Sequence, residues 1–229
     1  QDPILLAAFR DRLDLHARLA CRIFGGSESE HKHGPTRLAA KAINFGIPMG
    51  MTCKGLSVEL RKNGVDADED DAQKWLDETM ALYAGVPVYQ ARMAAEAARS
   101  GYVRCLSGRI RYIGGIRSPH ARVVEEARRF AFSTPVQEGA TWIAKMAQAR
   151  IWKLMEDYRK QGRWVEALIW VHDALTAEAE HDMTFAQELN TQMVGALTEL
   201  PKGFSVPIET SGEWGLNWDE MEPFDGNKK

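Results

Sequence analysis

The sequence predicts a mainly helical α+β protein. Three observations carry that reading: apolar residues recur at helical spacing through the first half, two hairpin patterns interrupt the second half, and the 229 residues are 45% hydrophobic and 27% charged, as in an ordinary folded chain. This length makes one large domain or two small ones and buries a core without disulfides. No run approaches the roughly 18 apolar residues of a membrane span, so no membrane association is expected. Cys21, Cys53 and Cys105 are odd in number and far apart, which suits reduced thiols of a cytoplasmic protein better than a disulfide framework or a zinc site. Gln1 is no initiator and nothing after it reads as a targeting peptide, so the chain is expected to be cut from something longer.

Each element follows from local chemistry. Leu5, Phe9, Leu13, Ala17, Ala20, Ile23 and Phe24 predict one helix from Ile4 to Phe24, stopped by Gly25-Gly26. Pro35 at a first helical position opens a helix through Phe45, which Gly46, Pro48 and Gly50 break. A short helix spans Leu56 to Leu60. Asp68, with Asp71 three residues on, starts a helix through Tyr83, and Pro87 starts another through Ser100. Tyr102 to Leu106 and Arg109 to Ile113 flank Ser107-Gly108, the chemistry of a two-residue hairpin turn. A long helix follows from about His120 to Arg159, with a break expected near Pro135 and Gly139. Leu168 to Val171, the turn His172-Asp173, and the alternation of Leu175, Ala177 and Ala179 with Thr176, Glu178 and Glu180 read as a second hairpin. Phe185 to Leu197 reads as a helix and Phe204 to Ile208 as a strand.

The net charge of -3 excludes an overall basic nucleic-acid coat but conceals segregation. Seven arginines lie between Arg104 and Arg129 against only Glu125 and Glu126, a candidate anion-binding surface. Asp66 to Asp71 forms an acidic patch, and Glu209, Glu213, Asp219, Glu220, Glu222 and Asp225 acidify the C-terminal region. Both read as solvated surface.

Arg37, Lys41 and Phe45 recur every four residues, so one face of the Pro35 helix presents two cations and then an aromatic ring. Cations near a helix N-terminus add to the macrodipole, at roughly 0.3–1 kcal/mol per charge, unless an anion compensates. A polyphosphate would be such an anion, with His31, Lys32 and His33 just before the helix and Phe45 placed to stack on a base. The same spacing also suits a surface helix whose cations snorkel. Asp173 is equally two-sided: turn aspartates bond their own backbone, yet a hairpin-tip carboxylate suits Mg²⁺, which takes one or two carboxylates plus phosphates. Serine nucleophile elbows, phosphate-binding P-loops and dinucleotide fingerprints are absent.

The order of the pieces is recognisable. Arg37-x-x-x-Lys41-x-x-Asn44-Phe45-Gly46, Ser107-Gly108-Arg109, Pro135-x-Gln137, Val171-His172-Asp173, and Ser211-Gly212-Glu213-Trp214 with Asn217-Trp218 follow one another over nearly the whole chain. The sequence resembles family A DNA polymerases. The resemblance implies fingers over residues 1–117 and the C-terminal part of an antiparallel palm sheet over 118–229. It implies that Arg37 and Lys41 hold the phosphates of a deoxynucleoside triphosphate, that Phe45 and Met49 meet its sugar and base, and that His16 lies near the triphosphate. It implies that Arg129, Ser133, Gln137 and His172 touch primer-template DNA, and that Asp173 is one of two carboxylates for a pair of Mg²⁺ ions.

Met49 stands where the family has tyrosine, Ser133 where asparagine is common, and Ala174 where glutamate follows the palm aspartate. The family's other aspartate belongs to a motif expected before Asp2-Pro3-Ile4, so an upstream segment or partner chain carrying it is implied, and the chain alone is expected to be inactive. A single-subunit RNA polymerase is disfavoured by Asn44-Phe45-Gly46. A non-catalytic nucleic-acid-binding protein on the same scaffold is the alternative.

Overall fold

Asp2 caps the first helix of the computed structural model, which describes residues 2–224; Gln1 and Asp225 lie outside the described residues. Its Oδ1 accepts from the Leu5 amide at 2.9 Å at the head of α1 (Pro3–Arg10), and its Oδ2 accepts from the Gly85 amide at 2.8 Å. A Cβ on Gly85 would lie 2.8 Å from the Asp2 Cα, so this approach requires glycine.

The single helix expected over Ile4–Phe24 is two. Arg12 adopts a left-handed φ of 53°, and Asp14 then caps α2 (Leu15–Phe24), accepting from the amides of His16 at 3.1 Å and Ala17 at 3.0 Å. The aspartate side chain offers the backbone a helix start in the middle of a run whose apolar period alone reads as continuous.

Four further helices complete this half: α3 (Pro35–Gly46), continued by a 3-10 turn over Ile47–Met49, α4 (Cys53–Lys62), α5 (Glu69–Leu82) and α6 (Gly85–Ser100). The Asp68–Asp71 capping box forms as expected, with the Asp71 amide donating to Asp68 Oδ1 at 2.8 Å. α6 begins two residues before Pro87 and ends at Gly101, whose φ of 82° closes the helix. Leu19 and Ala20 of α2, Ala39, Ala40 and Ile43 of α3, and Leu56 and Leu60 of α4 are buried in one cluster that Ala72 and Leu76 of α5 complete. Burying such side chains stabilises by roughly 1.5–3 kcal/mol for each large one.

β1 (Tyr102–Arg104) and β2 (Ile110–Tyr112) pair antiparallel, Tyr102 opposite Tyr112 and Arg104 opposite Ile110. The loop is longer than the two residues expected. The Gly108 amide donates to the Cys105 carbonyl at 3.0 Å, the Cys105 amide donates to the Arg109 carbonyl at 2.8 Å, and Gly108 has φ 86°, a turn followed by a left-handed residue.

α7 (Ala121–Lys160) runs unbroken through Pro135, against the expected interruption. A proline inside a helix costs about 3 kcal/mol in local terms. Here the turn before it is held by tertiary structure: Ala131, Phe132 and Ser133 are buried, and the Tyr89 hydroxyl donates to the Phe132 carbonyl at 2.9 Å.

The chain divides into two compact units within α7, one ending at Gly139 and the other starting at Ala140. In the second, β3 (Val165–Val171) and β4 (Ala174–Ala179) form the expected hairpin, with Val171 opposite Ala174 and an irregularity between Ala167 and Ile169. Ile151, Met155 and Tyr158 of α7 pack with Val165 and with Phe185 and Leu189 of α8 (Met183–Thr198). Residues 204–208 are irregular where a strand was predicted; Pro207 removes a ladder donor, and β5 (Glu213–Trp214) pairs with β6 (Glu222–Pro223) instead. The three cysteines are free thiols, and Cys105 is buried, which pushes its thiol up. Among the described residues no helix is long and apolar enough to cross a membrane.

Candidate functional site

The buried face of α3 fixes its other face. Ala39, Ala40 and Ile43 are fully buried, so Arg37, Lys41 and Phe45 share the side turned away, where Phe45 is 60% exposed. Arg37 donates to Asp14 Oδ2, so the capping aspartate of α2 also answers the first cation of α3. The internal partner that sequence spacing did not find is therefore a residue remote in sequence. Burial alone would raise the Asp14 carboxyl, but the Ala17 amide and the Arg37 guanidinium outweigh it and hold the group below its usual range. Lys41 has no ion-pair partner among the described residues; its Nζ lies 5.9 Å from the Phe45 ring centroid.

His16 joins this face from α2. Its ring centroid is 5.8 Å from that of Phe45, at 40° between planes. Asn44 Nδ2 donates to His16 Nδ1 at 3.0 Å and to the Leu15 carbonyl at 3.3 Å, while Asn44 Oδ1 accepts from the Tyr83 hydroxyl at 3.1 Å. A carbonyl can only accept, so the amide orientation is fixed, Nδ1 is an acceptor, and the neutral imidazole carries its proton on Nε2. Burial lowers the His16 pKa, and the charges of Arg37 and Lys41 push the same way against Asp14. The cluster can accept an anion: a lysine, an arginine partly answered by Asp14, and an imidazole with an outer N–H stand beside an exposed aromatic ring.

His31 does not join it. The ring is buried, its Nε2 donating to the Gly25 carbonyl at 2.7 Å and its Nδ1 hydrogen-bonded to the Thr36 hydroxyl at 2.8 Å, so both nitrogens latch the loop before α3. Its expected role beside a polyphosphate is corrected to a structural one.

A second group forms where the turn after α3 meets α7. Gln137 Nε2 donates to Met49 Sδ at 3.2 Å. A Cβ on Gly50, whose φ is 71°, would lie 2.6 Å from the Phe132 ring and 3.0 Å from Arg129 Cγ. Arg129 and Gln137 thus both meet the turn that carries Met49 and Gly50, and Ser133, four residues from each along α7, lies on the same face of that helix. Gln90 of α6 fastens the same turn, donating to the Ile47 carbonyl at 2.9 Å. Tyr89 beneath it is pushed up to about 12 by burial. The β1–β2 tip rests on α7, with Ser107 donating to Glu138 Oε1 and Leu106 filling the space a Gly139 side chain would need.

In the second unit His172 and Asp173 occupy the β3–β4 tip, both exposed. His172 has φ 54°, the positive value that primed hairpin turns require, and Trp170 Nε1 donates to its carbonyl at 2.9 Å. Asp173 has no side-chain hydrogen bond or ion pair among the described residues, so the reading in which it bonds its own turn does not hold. No group of three or more histidine, cysteine, aspartate or glutamate side chains gathers as a metal site among the described residues. A lone exposed carboxylate fits one place in the shell of a hard cation whose other oxygens come from phosphates, water and another carboxylate.

The chain is thus a mainly helical α+β protein whose α3 carries two cations and an exposed aromatic ring on one face and whose β3–β4 hairpin is tipped with an exposed aspartate, chemistry suited to an anion and to a hard cation. The family model for DNA polymerase family A matches residues 1–220, and the chain belongs to that family. It is 34% identical over 222 residues to DNA polymerase I of Pseudomonas aeruginosa, covering 96% of this chain and 23% of that protein. DNA polymerase I of Chloroflexus aurantiacus is 32% identical, covering 97% and 22%. The chain therefore spans less than a quarter of the length of these relatives. Among solved structures, the POL domain of Pol1 from M. smegmatis, in complex with DNA primer-template and dNTP, matches with a TM-score of 0.75 and 28% identity over 91% of this chain and 35% of that one. Family A polymerases work with divalent metal ions.

Proposed function

We propose that this chain is the fingers, over residues 1–117, and the C-terminal palm, over 118–229, of a cytoplasmic template-directed DNA polymerase. The single observation that carries this is the gathering of His16, Arg37, Lys41 and Phe45 on one face of the α2–α3 pair. Lys41 and Arg37 neutralise the phosphates of an incoming deoxynucleoside triphosphate, and His16 donates from Nε2 to a phosphate oxygen. Phe45 packs against sugar and base. Met49 and Gln137, joined by their hydrogen bond, border the nascent pair together with Ser133, while Arg129 and His172 take the primer-template backbone. Asp173 ligates Mg²⁺. Two such ions activate the primer hydroxyl and stabilise the leaving pyrophosphate. The second carboxylate would come from an upstream segment or a partner chain, as the resemblance to the family implies.

Primer extension by the chain together with its upstream segment, beside an Asp173→Ala version, tests the reading. Templated synthesis lost in the variant supports it. Equal DNA binding with no synthesis by either form would leave a nucleic-acid-binding scaffold and refute it.

A further inference from the structure

The β1–β2 hairpin has an outer face that nothing in the fold uses. Val103 is fully buried and faces Met93, Ala97, Ala127 and Ala131, so the hairpin is anchored by that side. The opposite side carries Tyr102 paired with Tyr112 and, about 7 Å further along, Arg104 paired with Ile110. Tyr112 is 75% exposed and Ile110 44% exposed. The two tyrosine rings lie 6.0 Å apart at 72°, edge to face, which leaves ring faces open to solvent.

Cations stand beside the tyrosine pair. Arg104 shares the tyrosine side and Arg109 lies in the adjoining loop, whereas Arg111 is opposite Val103 on the anchored side. Arg104 and Arg109 form no salt bridge among the described residues, and the Arg104 guanidinium reaches only the Gly108 carbonyl, at 3.0 Å. A cross-strand tyrosine pair can serve merely to stiffen a hairpin, worth roughly 0.2–1 kcal/mol. A ring three-quarters exposed covers little of its own hairpin, however, and a hairpin already held by Val103 and by Ser107 on Glu138 has other anchors.

We infer that this face is a stacking platform for unpaired bases of single-stranded DNA, the template strand ahead of the paired region. The inference rests on the polymerase reading for its ligand but concerns a surface remote in sequence from the α3 cluster. Open aromatic faces take bases of any sequence, and unpaired arginines beside them take the phosphates. Duplex DNA fits the face poorly, since its bases are already stacked on one another and only phosphates remain to be bound.

The test uses the full chain, a fluorescent twelve-residue oligothymidylate and a blunt duplex of equal length, with binding followed by anisotropy. Tyr102→Ala with Tyr112→Ala should weaken single-strand binding roughly ten-fold or more. Tyr102→Phe with Tyr112→Phe should keep it, because stacking needs the ring and not the hydroxyl. Tyr112→Ala alone, at an exposed site, guards against misfolding and should weaken binding several-fold, with duplex affinity changed less than two-fold throughout. Unchanged single-strand affinity in the alanine variants, equal losses in the phenylalanine pair, or a wild-type preference for the blunt duplex overturns the inference. Lys41→Ala and Asp173→Asn separate the two readings: in the chain joined to its upstream polymerase segment the first should weaken nucleotide use and the second abolish extension, while both leave oligothymidylate binding as it was.

Discussion

Asn44 holds His16 by its Nδ1 at 3.0 Å, and is itself held by the buried hydroxyl of Tyr83 at 3.1 Å, so the tautomer of the His16 imidazole is set from the interior. Removing the amide leaves a buried phenol and a backbone carbonyl without their partner. Asn44→Ala should therefore lose roughly 1–3 kcal/mol of stability, read by urea denaturation. Nitrogen chemical shifts of His16 should at the same time lose the pure Nε2–H signature; a variant with wild-type stability and wild-type shifts would count against the arrangement.

The His16 pKa lies below its ordinary 6.5, first through burial and then through Arg37 and Lys41. A histidine depressed in the fold resists protonation there, so its contribution to stability is complete above about 6.5 and drains away as pH falls through the lower folded value. NMR titration should place the midpoint below 6.5. Arg37→Met should raise it, since the cation is removed and Asp14 remains, and a bound triphosphate should raise it too. A midpoint that moves down in either case would contradict the electrostatic account.

Lys41 has no carboxylate to answer it, in contrast to Arg37, whose partner is Asp14. Loss of a charge-assisted contact costs roughly 1.5–3 kcal/mol. In the chain joined to its upstream polymerase segment, Lys41→Ala should weaken nucleotide use by that amount with primer-template affinity nearly unchanged. Steady-state incorporation at fixed primer-template makes the comparison, and an unaltered nucleotide dependence would remove Lys41 from the site.

Gly50 is the tightest point between the turn after α3 and α7. An alanine there must adopt φ near 71° and place its methyl against the Phe132 ring and Arg129. Left-handed backbone costs roughly 1–2 kcal/mol and overpacking roughly 1–3 kcal/mol. Gly50→Ala should thus lower stability by about 2 kcal/mol or more and weaken primer-template binding through Arg129, measured by thermal denaturation and anisotropy. A neutral substitution would show the contact to be slack.

What the sequence made legible divides by physical range. The Asp68–Asp71 capping box, the Pro35 helix and the His172-Asp173 turn depend on neighbours a few residues away, and their signals lie within one window. The break at Arg12–Asp14 was hidden because apolar spacing continues across it, although Asp14 followed by two free amides is a readable cap. The uninterrupted course of α7 was not readable, since the Tyr89 hydroxyl that steadies the turn before Pro135 comes from 43 residues away. The same holds for the site. The four-residue spacing pointed to Arg37, Lys41 and Phe45, but Asp14 and Tyr83 are tertiary partners, as is the sulfur–amide contact of Met49 with Gln137.

The last expectation concerns the chain by itself. Asp173 stands exposed at the β3–β4 tip, and a single carboxylate facing water holds a hard cation weakly against hydration, while a pair of ions a few ångströms apart needs shared ligands. Beneath it the hairpin is a two-stranded sheet, with Leu168 50%, Ile169 44% and Val171 49% exposed. Those side chains and the unpaired strand edges form a surface suited to another strand or, without one, to self-association. The isolated chain should therefore give no templated synthesis with Mg²⁺ or Mn²⁺ and should associate on concentration. The upstream polymerase segment should restore both activity and a discrete stoichiometry, through an interface above about 2,000 Å². Asp173→Asn in that assembly should abolish metal-dependent extension and leave duplex binding intact, because a neutral amide occupies the same turn without ligating a hard cation. Extension assays beside light scattering read both outcomes, and robust synthesis by a monodisperse, unpartnered chain would mean that another carboxylate, such as Glu178 or Asp182, serves as ligand; Asp182 is already engaged by Arg163 at 2.8 Å, which weighs against it.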